Sequence, residues 1–255
     1  MTARVLRRVA SEALPPLALL ALLLLGWQLL IVASGLPAFV LPSPSGIAQD
    51  AARYAGPIAS ASLTTGRNAL LGLVLGAVGA VLAAVVAALV RLVDALAAPV
   101  VSALAVVPIV ALAPVLYSMY GAGSEQARVI VAALAAFVPV YVTTLRGMRQ
   151  VRPVHRDLMR AVAAPPARAA LLVTVPTAVP FVLTGVRTAS SLAVISAIVA
   201  EYFGGPRSGI GSFITTAAAG SNYTLAWAYV LGGIVVGLVF YAATSLLEVL
   251  LTRRR

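Results

Sequence analysis

The stretch RGMRQVRPVHRDLMRAVAAPPARAALLVTVP, residues 146–176, is the only long polar interruption between the apolar segments of this 255-residue chain. It holds six of the 18 arginines and a single acid, Asp157. Residues 157–164 contain good helix formers without Gly or Pro, and the two prolines that follow cannot continue a helix. We therefore predict a short helix over 157–164, held between two apolar segments.

This predicted helix has two distinct faces. Leu158, Met159 and Val162 lie at helical spacing on one face, whereas Arg156 and Arg160 share another. An apolar ridge beside a basic one is suited to docking on a partner at a membrane surface. A solvated basic loop that only fixes the topology of the chain is the alternative, and the pattern alone leaves both open.

The composition predicts a membrane protein. Apolar residues make up 62% of the chain, charged residues 10%, and the mean hydropathy is +1.05. Every basic side chain is Arg, and the arginines lie at the ends of apolar segments, so the net charge of +11 does not indicate nucleic-acid binding. The absence of Cys excludes disulfides and thiolate catalysis, and one His with seven acids leaves little for a metal site.

The apolar runs predict an all-α membrane protein with about six transmembrane helices, because each run approaches the ~20 residues that cross a bilayer. We treat residues 1–255 as a single transmembrane domain with a cytoplasmic loop at 146–175. The first span is predicted to be retained, although a cleaved signal peptide is the alternative. The predicted spans are 14–34, 68–90, 95–119, 127–145, 176–200 and 225–250.

Several residues within the spans predict local features. The spacing of Gly72 and Gly76 allows a second helix to approach closely, and three prolines in 95–119 predict kinks. We expect no buried acid in the spans and one charge within the hydrocarbon, Arg187. It would line a path, fix a contact between subunits, or bond to backbone carbonyls or Glu201. The candidates for the translocation path or subunit contact are Tyr117, Met119, Arg187 and Glu201.

The distribution of arginines predicts the orientation. Six spans place both termini on one side, with thirteen arginines on that side and four on the other. Because arginine is enriched in cytoplasmic segments, both termini and the basic loop are predicted to be cytoplasmic. The thirteen are Arg4, Arg7, Arg8, Arg91, Arg146, Arg149, Arg152, Arg156, Arg160, Arg168, Arg253, Arg254 and Arg255; the four are Arg53, Arg67, Arg128 and Arg207.

A chain without Lys cannot contain the phosphate-binding loop that ends in Gly-Lys-Ser/Thr. The glycine-rich piece GGPRSGIGS, residues 204–212, also lacks that lysine. The chain is therefore not expected to hydrolyse ATP with that machinery.

The basic loop resembles the cytoplasmic coupling loop of the permeases of binding-protein-dependent ABC importers. That loop has the pattern Glu-Ala-Ala, three residues, Gly, and later Leu-Pro. By spacing, the acid falls on Asp157, the alanines on Leu158 and Met159, and the glycine on Ala163. Further segments resemble the branch that imports sulfonates, taurine, nitrate-like anions and pyrimidine or vitamin precursors: LPSPSGIAQD (41–50), GSEQARVIVAALAAFVPVYVTTLRGMR (123–149), PFVLTGVRTASSLAVISAIVAEYFGG (180–205) and SGIGSFI (208–214).

The resemblance implies a type I permease fold and an ATP-driven importer in a bacterial inner membrane. The coupling helix would dock on a separate ATPase, which would bind ATP and Mg, so that no cofactor or metal is expected in this chain. An external solute-binding protein and a second permease copy, in a homodimer, are the other implied partners, besides lipid. The residues implied in coupling are Arg156, Asp157, Leu158, Met159, Arg160, Val162, Ala163 and Ala164.

Two other classes of function were weighed against this one. An ion-coupled secondary transporter usually carries ionisable groups or broken helices near the midplane, where only Arg187 is expected here. An intramembrane enzyme would need His155 to act on Ser190, Ser191 or Ser196. The histidine lies in the predicted cytoplasmic loop and the serines in a span, so this class is disfavoured.

Overall fold

A computed structural model describes the backbone of residues 2–252 and the side chains of residues 14–252. This part of the chain is helical, with no strand. The helices are α1 Thr2–Ser34, α2 Pro44–Arg53, α3 Ala55–Leu89, α4 Arg91–Val106, α5 Ala113–Tyr120, α6 Gln126–Arg149, α7 Pro153–Ala161, α8 Pro166–Ala169, α9 Val175–Tyr202, α10 Ile210–Ala219 and α11 Tyr223–Thr252.

Five segments are long and apolar enough to cross a membrane, and a sixth is possible if α4 and α5 together form one broken span. The prediction of an all-α membrane protein with about six spans is therefore confirmed. The third predicted span, 95–119, bends by 87° between α4 and the segment Ile109–Tyr120. Pro108 lies at this break and disfavours helical geometry in the residue before it, Val107, which is extended with φ −63° and ψ 129°.

One helix extends well beyond its predicted span. The second span was predicted to begin at residue 68, whereas α3 begins at Ala55, and Ala61, Thr65 and Asn68 are buried along its first half. Between α9 and α11 the chain forms a further short helix, α10, which packs on both.

Three helices, α3, α6 and α9, form the centre of the bundle, and small residues line their contacts. A Cβ added to Gly72 would meet Ala132, and one added to Gly76 would clash with the Ala133 carbonyl oxygen. Gly185 of α9 meets Thr143 of α6 in the same way. The predicted close approach at Gly72 and Gly76 is therefore confirmed, since only glycine lets the two backbones come this near.

The outer helices leave much apolar surface exposed. None of the apolar segment Leu14–Ser34 of α1 is buried within the chain. Near its C-terminal end, α1 contacts the bundle through Trp27, whose ring meets Trp227 edge-on with the centroids 5.7 Å apart. A surface of this kind is suited to contact with lipid or with other transmembrane helices.

Candidate functional site

The centre of the basic loop is a two-turn helix with a defined end. Helix α7 begins with Pro153 and ends at Ala161. At its end the Ala164 N–H donates to the Met159 carbonyl oxygen at 2.9 Å, while Ala163 has φ +47°. This is a left-handed helix end of the Schellman type. The helix predicted over 157–164 therefore begins four residues earlier, at Pro153, and ends three residues earlier, at Ala161.

The exposed apolar face of α7 consists of Val154, Leu158 and Val162, which follow one another at i, i+4 and i+8; we call it the α7 ridge. These side chains are 61%, 54% and 61% exposed. Met159 instead turns toward the chain and lines a cleft of about 230 Å³ with Met148 and Val173. Met159 was predicted to share a face with Leu158 and Val162, whereas in the structure it lies on the cleft side of α7. Val154, which completes the ridge, precedes the predicted start of the helix.

Arg156 and Arg160 lie on the opposite side of α7 from this ridge, on the side of the Met159 cleft. Arg160 Nη1 lies 3.3 Å from Asp157 Oδ1, and both side chains are more than two thirds exposed. Arg156 and Arg160 also border the Met159 cleft together with Ala164. An exposed pair of this kind contributes little to folding, about 0–1 kcal/mol, so its charges are free to orient a partner.

An unbroken helical rod leads from this region into the bundle. Helix α8, a π-type turn at Ala170–Thr174 and α9 follow one another without a loop. The fifth span was predicted to begin at Pro176, which instead lies within this rod, at the second residue of α9. The α7 segment follows α6 at one end and leads into the rod of α8 and α9 at the other. Helices α6 and α9 pack on each other more extensively than any other pair of helices in the described part of the chain.

At the opposite end of α6 and α9, Arg128 and Glu201 form a buried ion pair, with Arg128 Nη1 3.8 Å from Glu201 Oε1. Both side chains are fully buried. Glu201 accepts hydrogen bonds from the Thr65 hydroxyl at 3.0 Å and from the Gly211 N–H at 2.7 Å. Arg128 donates to the Tyr117 hydroxyl, to Ser208 Oγ and to the Pro206 carbonyl oxygen. We call this set of residues the Arg128 network.

The Arg128 network fixes α5 and the segment 203–209 to the bundle. Tyr117, a candidate path residue, is 6% exposed, and its hydroxyl donates to the Ala200 carbonyl oxygen at 3.3 Å. Its ring packs on Gly205, where any side chain would collide with it. Met119 is 69% exposed, so these two candidates point to different environments.

Arg187 has a partner that the sequence analysis did not identify. Its Nη1 lies 3.0 Å from Glu248 Oε2 in α11, and Thr184 donates to Glu248 Oε1 at 2.7 Å. The expectations of no buried acid and of a single charge in the spans were therefore wrong: Glu248 and the Arg128 pair also lie within long helices. Glu201, the partner suggested for Arg187, is paired with Arg128 instead.

No group of three or more His, Asp or Glu side chains that could hold a metal ion occurs among the described residues. Sequence reasoning missed Arg128, Thr65 and Glu248. One available signal was an arginine two residues into an apolar helix, since an arginine at such a position requires a partner.

The fold, with five to six long apolar helices and one exposed basic segment between two of them, defines a multi-pass membrane protein. The chain belongs to the family of binding-protein-dependent transport system inner membrane components, which matches residues 76–255. It is therefore a transport permease subunit of the ABC importer class and not an enzyme.

Several transport permeases are similar to this chain. The riboflavin transport system permease protein RibX of Chloroflexus aurantiacus is 34% identical over 98% of this chain and 93% of its own length. The formylaminopyrimidine transport permease protein ThiX of Halalkalibacterium halodurans is 28% identical over 79% of this chain and 80% of its own. The taurine transport system permease protein TauC of Escherichia coli is 27% identical over 85% and 79%, respectively.

A solved structure shares the fold. The crystal structure of an amino acid ABC transporter with histidines superposes with a TM-score of 0.64, covering 80% of this chain and 96% of that one. The sequence identity is 16%, so this likeness concerns the fold alone.

Proposed function

We propose that this chain forms the translocation path of an ATP-driven importer for a small organic solute and is worked by a separate ATPase through α7. The observation that carries the proposal is the α7 ridge, an exposed apolar row on a segment between two spans, with Arg156 and Arg160 exposed on the other side of the same short helix. Apolar anchors within a more polar surround are typical of protein interfaces. The ATP and Mg belong to the partner, since the chain has no lysine for a phosphate loop.

The connections of α7 supply the mechanism. Three residues, 150–152, link α7 to α6, and the rod of α8, the π-type turn and α9 lies on its other side. A displacement of α7 by the ATPase is transmitted to α6 and α9 together, because these helices pack closely at Gly185 and at Gly147. In a pair of such chains, this motion would open the path alternately to the two sides of the membrane.

The remaining partners follow from the family and from charge. An external solute-binding protein delivers the solute, and a second copy of the permease completes the path in a homodimer. The excess of arginine on the side of the termini supports a cytoplasmic location for both termini and α7. The names of RibX, ThiX and TauC support a small organic solute, either a vitamin-related heterocycle or a sulfonate.

The test is the ATP hydrolysis that co-purifies with the tagged chain from native membranes. Leu158→Glu places a charge on the α7 ridge and is expected to remove most of this activity, since a desolvated carboxylate without a partner disfavours the interface. Leu158→Met keeps the apolar contact and is expected to retain it. Full co-purification of ATP hydrolysis with Leu158→Glu would show that the ridge is not the docking surface.

A further inference from the structure

A cleft of about 340 Å³ lies between the end of α9, the segment 203–209 and α10, on the side of the bundle opposite to α7. Hydroxyl-bearing side chains of α10 form one of its walls, and Arg207 borders it. We call it the Arg207 cleft. Its volume is at the lower end of the range of small-molecule sites, roughly 300–1,000 Å³.

Arg207 is an exposed cation, and its guanidinium makes no ion pair or hydrogen bond within the described part of the chain. The two residues beside it are anchored, however, because the buried Arg128 donates to the Pro206 carbonyl oxygen and to Ser208 Oγ. The backbone at Arg207 is thus held in place from within the bundle. Its side chain remains available for a charge-assisted hydrogen bond to an anion.

The α10 wall offers hydrogen-bond acceptors. Thr215 Oγ1 and Thr216 Oγ1 both donate to the Ser212 carbonyl oxygen, at 2.9 Å and 2.7 Å, and both threonines line the cleft. Neither side chain is buried. A hydroxyl group has a single proton, so an oxygen whose proton is engaged with the backbone can only accept a further hydrogen bond. The wall is therefore suited to N–H donors.

We propose that the Arg207 cleft binds the transported solute and that this solute is a small zwitterion, such as an aminosulfonate. Its anionic group pairs with Arg207, and its ammonium group donates to Thr215 and Thr216. Glu201, the other charged residue that lines the cleft, is paired with Arg128, so Arg207 is the uncompensated charge. This inference rests on the proposed transport function and selects the sulfonate from its two classes of solute, because a neutral heterocycle has no counter-charge for Arg207.

The experiment measures equilibrium binding of radiolabelled taurine, an aminosulfonate, to the full chain in lipid nanodiscs. Ethanesulfonate, which lacks the ammonium group, and ethylamine, which lacks the sulfonate, are the competitors. Unlabelled taurine is expected to compete about tenfold more effectively than either, because the cleft binds both ends of the solute. Riboflavin, which has no anionic group, is expected not to compete.

Two variants assign the two ends of the solute. Arg207→Gln is expected to weaken taurine binding about tenfold or more. Thr216→Val keeps the shape of the side chain without its oxygen, and is expected to weaken taurine binding about threefold while leaving ethanesulfonate binding unchanged.

Arg53→Gln and Thr64→Val are the matched controls. Arg53 is exposed and is predicted to lie on the same side of the membrane as Arg207, and Thr64 donates to the carbonyl oxygen four residues before it, as Thr216 does. Neither control residue lines the cleft. Both controls are expected to bind taurine as the wild-type chain does. All four variants are expected to unfold close to the wild-type temperature, because none of these side chains is buried.

Three results would overturn the assignment: taurine binding that is equal in Arg207→Gln and Arg53→Gln, competition by ethanesulfonate as effective as that by taurine, or displacement of taurine by riboflavin. The binding protein is absent from this measurement, so a loss of binding concerns the solute and not the docking of that protein. ATP-dependent uptake by the complete importer that is insensitive to Arg207→Gln overturns only the cleft assignment, whereas absence of ATP-dependent uptake of any solute overturns the proposed function as well.

Discussion

At the scale of single residues, the most demanding feature is the buried pair of Arg128 and Glu201. Burying two charges is costly, and the cost is offset here by hydrogen bonds from Thr65 and Gly211 to the carboxylate and by three acceptors for the guanidinium. Removal of either residue would therefore leave the other as a buried charge without a counter-charge. The Arg128 network joins α3, α5, α6, α9 and the start of α10, so its loss affects the whole end of the bundle.

We expect Arg128→Met to lower the free energy of unfolding by about 3–5 kcal/mol, because Glu201 is left as a buried charge without its partner. The measurement is thermal unfolding in detergent, followed by tryptophan fluorescence. Arg149→Met is the control: Arg149 pairs with Asp94 at 2.6 Å, but the side chains are 54% and 33% exposed, so the expected loss is about 1 kcal/mol or less.

The double variant Arg128→Met with Glu201→Gln extends this test. Because it removes both charges, its loss is expected to be smaller than the sum of the two single losses. Equal losses for Arg128→Met and Arg149→Met, or additive losses in the double variant, would show that the buried pair is not coupled.

A second residue-scale prediction concerns Ala163, which occupies the position of the glycine in the coupling-loop pattern. Its φ of +47° costs a non-glycine residue about 1–2 kcal/mol, so Ala163→Gly is expected to stabilise the end of α7. Hydrogen exchange of the 153–164 segment should become slower. The same substitution inside the helix, Ala161→Gly, is expected to make exchange faster, since glycine weakens a helix. Faster exchange in both variants would refute the explanation from φ.

At the scale of helices, α3, α6 and α9 are held together by close contact of small side chains rather than by large apolar ones. The buried side chains at these contacts are mostly alanines, such as Ala69, Ala136 and Ala193. In a lipid environment, where apolar side chains are equally well solvated outside, such close packing supplies most of the attraction between helices. Adding one methyl group at such a contact is therefore expected to destabilise the packing of these helices.

Gly76→Ala is expected to destabilise the bundle by about 1–3 kcal/mol, because its Cβ would overlap the Ala133 carbonyl, which cannot move without α6. Gly237→Ala is the matched control in a long helix. No atom lies within 4 Å of its added Cβ, so a neutral effect or a gain of about 0.5–1 kcal/mol is expected. Thermal unfolding measures both, and an equal loss in the two variants would argue against steric contact at Gly76.

At the scale of the whole molecule, charge and hydropathy are distributed unequally. Exposed leucines cover α1 and the outer faces of α3 and α11, whereas six arginines lie in the segment 146–168 at one end of the bundle. Because arginine is enriched in cytoplasmic segments, this distribution predicts which end faces the cytoplasm. In the proposed orientation, the α7 ridge faces the cytoplasm and the loop between α5 and α6 faces the other side.

Thiol labelling tests this orientation directly, because the chain has no Cys and each introduced thiol is unique. In intact cells, an impermeant maleimide is expected to label Ala122→Cys, in the exposed loop between α5 and α6. It is expected to label Leu158→Cys only after the cells are opened. Labelling of Leu158→Cys in intact cells would exclude docking of α7 on a cytoplasmic ATPase.

The sequence by itself determined the class of the protein, the approximate spans, the arginine asymmetry and the close approach at Gly72 and Gly76. These features are local: in lipid, each span must satisfy its own backbone hydrogen bonds, so hydropathy along the chain locates the helices. The coupling-loop resemblance put its glycine on Ala163, where the structure has a left-handed φ of +47°, although no left-handed helix end was predicted there.

Only the tertiary structure decided which side chains meet. Glu248 pairs with Arg187 across 61 positions of sequence, Arg128 pairs with Glu201, and Met159 turns inward to a cleft formed with Met148 and Val173. The start of α3 at Ala55 also depends on burial of Thr65 against another helix. Charge pairing and burial depend on the rotation and contact of helices distant in sequence, and periodicity within one segment carries no information about either.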